Sequence, residues 1–235
     1  MDSREIARAF AELSTPLLAD ACLRASVPLR VAPPGLAPVV PGSRASGRVV
    51  PARHFGSVDV FLEAMQGGSP GDVLVIDNSG RTDEACVGDL TALEAAASGM
   101  SGMLVWGLHR DTPELREIGL PVFSYGRTAP GPVRLDPRDD DALESARIGN
   151  FVVDRSFAVF ADDDGAVFAP LERAAELLAA ADDIRRRERK QADEIRRGET
   201  LRRQLRFDDY LARRAKDPAY TLRRHLREIG GAIEV

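Results

Sequence analysis

The stretch GDLTALEAAASGMSGMLVWGLHRD, residues 88–111, decides the fold of this chain. Its first part, DLTALEAAAS (89–98), predicts an α-helix that ends at Gly99, because glycine readily takes the left-handed conformation after a helix. Its second part, GMLVWGL (102–108), is a short continuous apolar run, which is typical of a buried strand. A helix followed at once by a buried strand indicates an α/β fold.

Strand and helix patterns alternate on both sides of this stretch. A buried strand, DVLVIDN (72–78), precedes it, and the strand PVFSYG (121–126) follows it, which together predict stacked βαβ units. Farther along, FAVFADDDGAVFAP (157–170) predicts a hairpin that turns at its acidic triplet and Gly165, in preference to an acidic metal cluster. Near the start, the Ser-Thr-Pro sequence of residues 14–16 predicts a helix capped by a hydroxyl.

The composition excludes several classes of protein. No apolar run approaches the roughly 20 residues that span a bilayer, and Asp2, Arg4, Glu5 and Arg8 interrupt any apolar region of a signal peptide. The net charge of −5 argues against a surface dedicated to nucleic acid, which needs a basic face. We therefore expect a cytoplasmic protein whose function involves neither a membrane nor nucleic acid.

The positive charge is concentrated near the C-terminus. Residues 182–228 contain 16 basic and 10 acidic residues, in segments that predict a long charged helix followed by shorter helices. Mixed charges at helical spacing are typical of solvated helix faces with ion pairs one turn apart, or of an arm that packs between subunits. We therefore expect a main domain over residues 1–185 and a charged helical extension over residues 186–235.

The rarity of lysine restricts the chemistry of any active site. Lys190 and Lys216 are the two lysines of the chain, and both lie in the charged C-terminal region. A Schiff-base mechanism needs a lysine in a desolvated pocket, so carbonyl chemistry here needs another electrophile, most simply a metal ion. Two cysteines, Cys22 and Cys86, are too few for a disulfide framework or a four-thiolate zinc site.

Two predicted strand ends carry side chains suited to catalysis. Ligands of open α/β sheets gather beyond the carboxyl ends of the strands. The first strand leads to residues 88–90 at a helix N-terminus, where unpaired backbone amides favour an anionic ligand. The second leads to residues 109–111, where Arg110 offers a planar fork for a carboxylate or enolate. Asp111 offers a hard oxygen ligand for Mg²⁺.

Simpler roles stay open for the same residues. Asp89 and Asp111 could merely cap the helices that follow them. His109 is better suited to orienting a loop than to acting as a base. His54 and His109 lack partners at the spacing of a zinc site, which disfavours a zinc enzyme.

The spacing from Asp89 to Arg110-Asp111, an Asp followed by twenty residues and then Arg-Asp, forms part of a longer pattern. With LREIGLPVFSYG (115–126) and FADDDGAVFAP (160–170) it resembles the family of 4-hydroxy-4-methyl-2-oxoglutarate aldolases, which also holds the regulators of ribonuclease activity A, or RraA. The resemblance implies an α/β/β/α sandwich of the swivelling type. It also implies a homotrimer or homohexamer with the active site between subunits.

The resemblance also implies a role for each site residue. Asp111 would bind Mg²⁺ or Mn²⁺, and Arg110 would hold the pyruvyl end of the substrate and neutralise the enolate. The backbone amides of Gly88 and Leu90 would bind the pyruvate carboxylate, and Asp89 would position water at the metal.

A neighbouring subunit would supply an acidic residue, for which Glu188 is our candidate. The implied function is a divalent-metal-dependent lyase that cleaves a 4-hydroxy-2-oxo acid to pyruvate, with oxaloacetate decarboxylation as a side activity. Two alternatives stay open: a metal enzyme of the same fold acting on another oxo acid, and a non-enzymatic regulator that binds an RNA-processing enzyme. The regulators lack the Asp at position 111, so its presence favours the catalytic branch.

Overall fold

The computed structural model describes residues 1–230. The chain divides into two compact units, one of residues 1–178 and one that begins at Ala179. Of the predicted extension, residues 231–235 lie outside the described part of the chain.

The first unit is a mixed α/β structure, as the sequence predicts. Its helices are α1 (Ser3–Phe10), α2 (Thr15–Arg24), α3 (Asp59–Gln66), α4 (Asp89–Ala97) and α5 (Thr112–Ile118), and α6 (Ala174–Arg196) continues into the second unit. Its strands are β1 (Arg30–Val31), β2 (Ala37–Pro38), β3 (Ala45–Arg53), β4 (Val73–Asp77), β5 (Ala85–Val87), β6 (Gly102–Trp106), β7 (Leu108–His109), β8 (Val122–Ser124), β9 (Ser145–Ile148), β10 (Phe151–Asp154), β11 (Phe157–Asp162) and β12 (Gly165–Pro170).

Eight strands form the main sheet, in the order β1-β12-β11-β3-β4-β6-β8-β2. The four neighbours β3, β4, β6 and β8 pair in parallel, which confirms the predicted βαβ units. The β11–β12 hairpin pairs antiparallel with β3 through β11. Two smaller sheets, β9–β10 and β5–β7, accompany the main one. Because the parallel strands run the same way, their carboxyl ends meet at one edge of the sheet.

The central strand β4 is buried on both faces, and its side chains alternate between two apolar clusters. Leu74 and Ile76 pack in one cluster with residues of α3 and α4. Val73 and Val75 pack in the other cluster with residues of β9, β10 and the β11–β12 hairpin. A strand sandwiched in this way reads as a continuous apolar run, which is why residues 72–78 show no alternation.

The predicted cap of α2 is wrong. The Ser14 side chain makes no capping hydrogen bond. The backbone N–H and the hydroxyl of Thr15 donate instead to Asp162, at 2.8 and 2.6 Å. Asp162 pairs with Gly165 across the hairpin turn, which confirms the hairpin prediction for this acidic triplet. The cap comes from a residue far away in sequence, so local patterns could not identify it.

The second unit is helical and rich in ion pairs. It contains the rest of α6 together with α7 (Leu201–Gln204), α8 (Phe207–Lys216) and α9 (Leu222–Ile229). Pairs four residues apart, such as Arg203–Glu199 and Arg224–Glu228, follow the predicted spacing. Such exposed pairs contribute little stability each. Across the described residues, no helix has both the length and the apolar character needed to cross a bilayer.

Candidate active site

A short parallel ladder joins the two predicted site segments. Strand β5 ends one residue before Gly88 and pairs with β7. The backbone N–H of Arg110 continues this ladder by donating to the carbonyl of Val87 at 3.0 Å. The N-terminus of α4 and residues 109–111 therefore lie side by side, as the edge position of both segments suggests.

Asp111 packs against the N-terminus of α4. A Cβ atom built on Gly88 would lie 2.2 Å from its Oδ2, so only glycine leaves room for this carboxylate. The backbone N–H of Asp89 lies 3.4 Å from the same oxygen. Asp111 precedes α5, yet its side chain makes no capping hydrogen bond to that helix. The simple capping role is therefore wrong for Asp111.

The backbone of Asp111 is strained. Its φ of 57° lies in the left-handed region, which costs a residue with a side chain about 1–3 kcal/mol. Its backbone carbonyl still accepts from the N–H of Leu115 at 2.9 Å and so begins α5. Strain of this kind is retained where a side chain must take one particular position, as at a ligand site.

Arg110 extends over the neighbouring loop. Its Nε lies 3.4 Å from Oδ2 of Asp111, and its side chain is 48% exposed. A Cβ atom on Gly131 would lie 2.7 Å from its Nη1, so the guanidinium lies directly against the loop after β8. The fork is thus placed beside the carboxylate while keeping N–H groups available to a ligand.

Hydrogen bonds of the His109 ring hold residues 109–111 in place. Its Nδ1 lies 2.7 Å from the Ser124 hydroxyl, and its Nε2 lies 3.0 Å from the Thr112 hydroxyl. Ser124 donates its proton to the carbonyl of Gly126, so the hydrogen-bond network assigns a proton to Nδ1 and leaves Nε2 to accept. Burial, together with the nearby Arg127, lowers the pKa of His109 and favours this neutral form. The geometry fits the predicted role of orienting a loop.

The other predicted residues are less directly placed. The Leu90 N–H donates to Oδ1 of Asp89 at 2.7 Å, so the amide that we expect to bind a carboxylate is engaged by its neighbour. The Leu90 side chain is 75% exposed. Glu188 lies on α6 in the second unit and is half-buried. Its contribution to the site of another copy stays a prediction.

A cleft of about 950 Å³ opens beside these groups. Its lining combines the polar site residues with apolar side chains of α3 and α4. The lining residues that matter here are His54, Cys86, Gly88, Asp89, Arg110, Asp111, Val58, Leu62, Leu90 and Leu93. The last four are apolar and 46–75% exposed on this chain. Burial raises the pKa of the Cys86 thiol strongly, which disfavours it as a nucleophile.

A buried polar network near the cleft is not predicted from the sequence. The Arg134 guanidinium donates to both oxygens of Glu84, at 2.9–3.2 Å, and to Oδ1 of Asn78 at 3.0 Å. His54 Nδ1 donates to the same Asn78 oxygen at 2.8 Å, and its ring stacks on Phe61. His54 and Asn78 directly follow the parallel strands β3 and β4. The rule that identifies residues 109–111 could therefore have identified these two.

The donor set fits a hard divalent cation. Among the described residues, no three His, Cys, Asp or Glu side chains are close enough together to form a complete metal site. The carboxylates here are those of Asp111 and its neighbour Asp89. Mg²⁺ commonly binds through one or two carboxylates and keeps water or substrate oxygens at its other positions, so this pair is compatible with Mg²⁺ or Mn²⁺.

Known proteins similar to this chain include a named relative and several solved structures. A protein from Hahella chejuensis named "Putative 4-hydroxy-4-methyl-2-oxoglutarate aldolase" is 28% identical over 125 residues, which cover 53% of this chain and 74% of the relative. A crystal structure of an uncharacterized protein from Pseudomonas syringae pv. tomato superposes with a TM-score of 0.74 at 26% identity, over 84% of this chain and 95% of that one.

A second solved structure is Streptomyces coelicolor RraAS2, described as an unusual member of the RNase ES inhibitor RraA protein family. It superposes with a TM-score of 0.67 at 26% identity, over 82% of this chain and 96% of that one. Residues 15–168 match the RraA-like family, described as Aldolase/RraA. These matches confirm the resemblance drawn from the spacing of Asp89, Arg110 and Asp111. The chain belongs to the RraA-like family.

Proposed function

We propose that this chain is a divalent-metal-dependent lyase, which cleaves a 4-hydroxy-2-oxo acid to pyruvate and decarboxylates oxaloacetate as a side activity. The observation that carries the proposal is the pair Arg110 and Asp111, held beside Gly88 at the edge of the cleft. A forked cation and a hard oxygen ligand at one point suit a 2-oxo acid, which offers a carboxylate and a keto oxygen side by side.

Each residue of the site has its own role in this proposal. Asp111, supported by Asp89, would hold Mg²⁺ or Mn²⁺, and such an ion acts as a Lewis acid toward a 2-oxo acid. Arg110 would bind the pyruvyl part and neutralise the negative charge that develops on it. Its guanidinium lies against Gly131 and beside Asp111, so a donor stands next to the carboxylate that would hold the metal.

In the cleavage, the 4-hydroxyl loses its proton and becomes a carbonyl as the C3–C4 bond breaks. The electron pair of that bond becomes the enolate of pyruvate, which then takes a proton at C3. Loss of CO₂ from oxaloacetate leaves the same enolate. One group that stabilises the enolate therefore serves both reactions, and Arg110 is our candidate for that group.

Assembly is part of the proposal. The exposed apolar residues on the cleft, Val58, Leu62, Leu90 and Leu93, form the kind of surface that another subunit covers. We propose a homotrimer or homohexamer, with Glu188 of the partner subunit completing the site. Light scattering should then give a mass near three or six times 25.5 kDa. A monomer at micromolar concentration would remove the shared site.

The test is pyruvate release from a panel of 4-hydroxy-2-oxo acids, followed with a coupled dehydrogenase. We expect release with Mg²⁺ or Mn²⁺, its loss on chelation, and its return when the metal is restored. Release from a different oxo acid alone would favour another metal enzyme of the same fold. No release from any acid, together with binding to an RNA-processing enzyme, would favour the regulator.

A further inference from the structure

Two smaller cavities adjoin the main cleft through shared lining residues. The cleft shares Arg110 and Asp111 with a cavity of about 430 Å³. That cavity shares Thr112 and Arg127 with a third cavity, of about 290 Å³, which Arg116 also lines. A ligand held at Arg110 and Asp111 therefore has Arg127 in the adjoining cavity.

The backbone fixes Arg127 in this position. Arg127 pairs with His109 in a parallel bridge. On either side of that pair, the His109 N–H donates to the carbonyl of Gly126 and the Thr128 N–H donates to the carbonyl of His109, both at 3.0 Å. Residues 126–128 are thus attached to the residue that immediately precedes Arg110, so the backbone holds the two arginines next to each other.

The two small cavities carry an excess of positive charge. Among the described residues that line them, Asp111 is the one acid, against Arg110, Arg116 and Arg127. Within the described residues, no carboxylate forms an ion pair with Arg127, whereas Arg134 and other arginines of the first unit are paired with carboxylates. An exposed guanidinium without a carboxylate, in a concave site, is available to an anionic ligand.

We propose that Arg127 is a specificity-determining residue, which binds the second carboxylate of a dicarboxylic 2-oxo acid whose oxo acid end lies at Arg110 and Asp111. The assignment rests on the proposed function, since that function places the oxo acid end. The planar fork of Arg127 can accept a carboxylate through two parallel hydrogen bonds. The hydroxyl of Thr128, which lines the same cavity, can add a third. A monocarboxylic acid of equal length would leave this fork without a partner.

The test is calorimetric binding of two unreactive acids of equal length to the whole protein with Mg²⁺. 2-Oxoglutarate carries the second carboxylate, 2-oxopentanoate carries a methyl group in its place, and neither has the 4-hydroxyl that cleavage needs. We expect the wild type to prefer 2-oxoglutarate by about 10- to 100-fold, the range for a charged hydrogen-bonded contact. Arg127→Ala should bring the ratio of the two affinities close to one. Arg127→Lys should fall between, because it keeps the charge and loses the fork.

Arg116→Ala is the matched control, because it removes the same charge from the far cavity only and should keep the wild-type ratio. No preference in the wild type, or a ratio that Arg127→Ala leaves unchanged, would overturn the assignment. An equal change of the affinity ratio in Arg116→Ala would also overturn it. That result would mean that the positive potential of the two cavities as a whole, or a separate anion site, produces the preference. The ratio does not depend on turnover. A protein that shows this preference but releases no pyruvate contradicts the proposed lyase and not the role of Arg127.

Discussion

A Cβ atom on Gly88 would lie 2.2 Å from Oδ2 of Asp111, so the carboxylate can occupy its position only because residue 88 has no side chain. The φ of Gly88 is −149°, an extended conformation that any residue adopts. The requirement at this position is therefore one of space and not of backbone freedom. The packing of Asp111 on Gly88 therefore connects the N-terminus of α4 to the candidate active site.

Gly88→Ala should displace Asp111 and leave the fold intact. A displacement of about 1 Å at a catalytic group can lower the rate about 100-fold, and we expect a loss of that order in kcat/KM for pyruvate release. Gly67→Ala is the control, because the nearest atom to its Cβ would be Nη2 of Arg155, at 3.3 Å and outside the site. If the two variants retain equal activity, the packing of Asp111 on Gly88 has no catalytic importance.

Asp111→Ala should act through metal affinity. The variant should bind Mg²⁺ more weakly, because one hard oxygen ligand is lost, and a higher Mg²⁺ concentration should recover part of its rate. Titrations of rate against Mg²⁺ for both proteins measure the shift in half-saturation. Unchanged half-saturation with a lower maximal rate would assign Asp111 another role.

The buried pair Glu84–Arg134 should stabilise the fold around the cleft. Arg134→Met leaves the Glu84 carboxylate, which is 4% exposed, without its main partner. Breaking such a pair costs about 3–5 kcal/mol, so we expect a decrease of that order in the free energy of unfolding, measured with urea. Arg138→Met removes an exposed partner of Glu63 and should cost about 1 kcal/mol or less. Similar losses in both variants would contradict the argument from burial.

The stability of the protein should decrease below the ordinary pKa of histidine. Burial lowers the pKa of His54 below 6.5, with Arg134 adding to the shift and the hydrogen bond to Asn78 opposing it. Above pH 6.5 the imidazole is neutral in both states and its contribution is fully present. As the pH falls through 6.5, the unfolded chain takes up the proton before the folded one does, so the free energy of unfolding decreases.

His54→Gln keeps a donor toward Asn78 and removes the titration. The decrease in stability between pH 7.5 and pH 5.5 should therefore be smaller in this variant than in the wild type. Urea midpoints at the two pH values provide the measurement. An equal decrease in both proteins would show that other groups account for it.

Local patterns were sufficient for the elements that frame the site. The predicted helix 89–98 forms α4, and most of the apolar run 102–108 forms β6, because periodicity and glycine act over short distances. The single strand predicted for that run is wrong at its end, since Leu108 begins β7 of a separate sheet. The rule that ligands gather at the carboxyl ends of strands correctly brings residues 88–90 and 109–111 together.

Contacts between distant segments were beyond such reasoning. The cap that Asp162 provides to α2 joins residues 147 positions apart. Arg134 reaches Glu84 from a loop for which the sequence predicts no structure. The Arg110 guanidinium lies against Gly131. A glycine in a loop that also contains proline predicts a turn, but it does not predict that contact. In each case the partner is decided by tertiary packing.

The central claim is that Arg110 stabilises one enolate in two reactions. The decisive measurement compares kcat/KM of the wild type, Arg110→Lys and Arg110→Ala in aldol cleavage and in oxaloacetate decarboxylation, with folding checked by circular dichroism. We predict that Arg110→Ala raises the barrier by about 2–4 kcal/mol in both reactions, and that Arg110→Lys loses less. His109→Ala should lose much less than Arg110→Ala. A folded Arg110→Ala protein with full activity in both reactions would contradict the account.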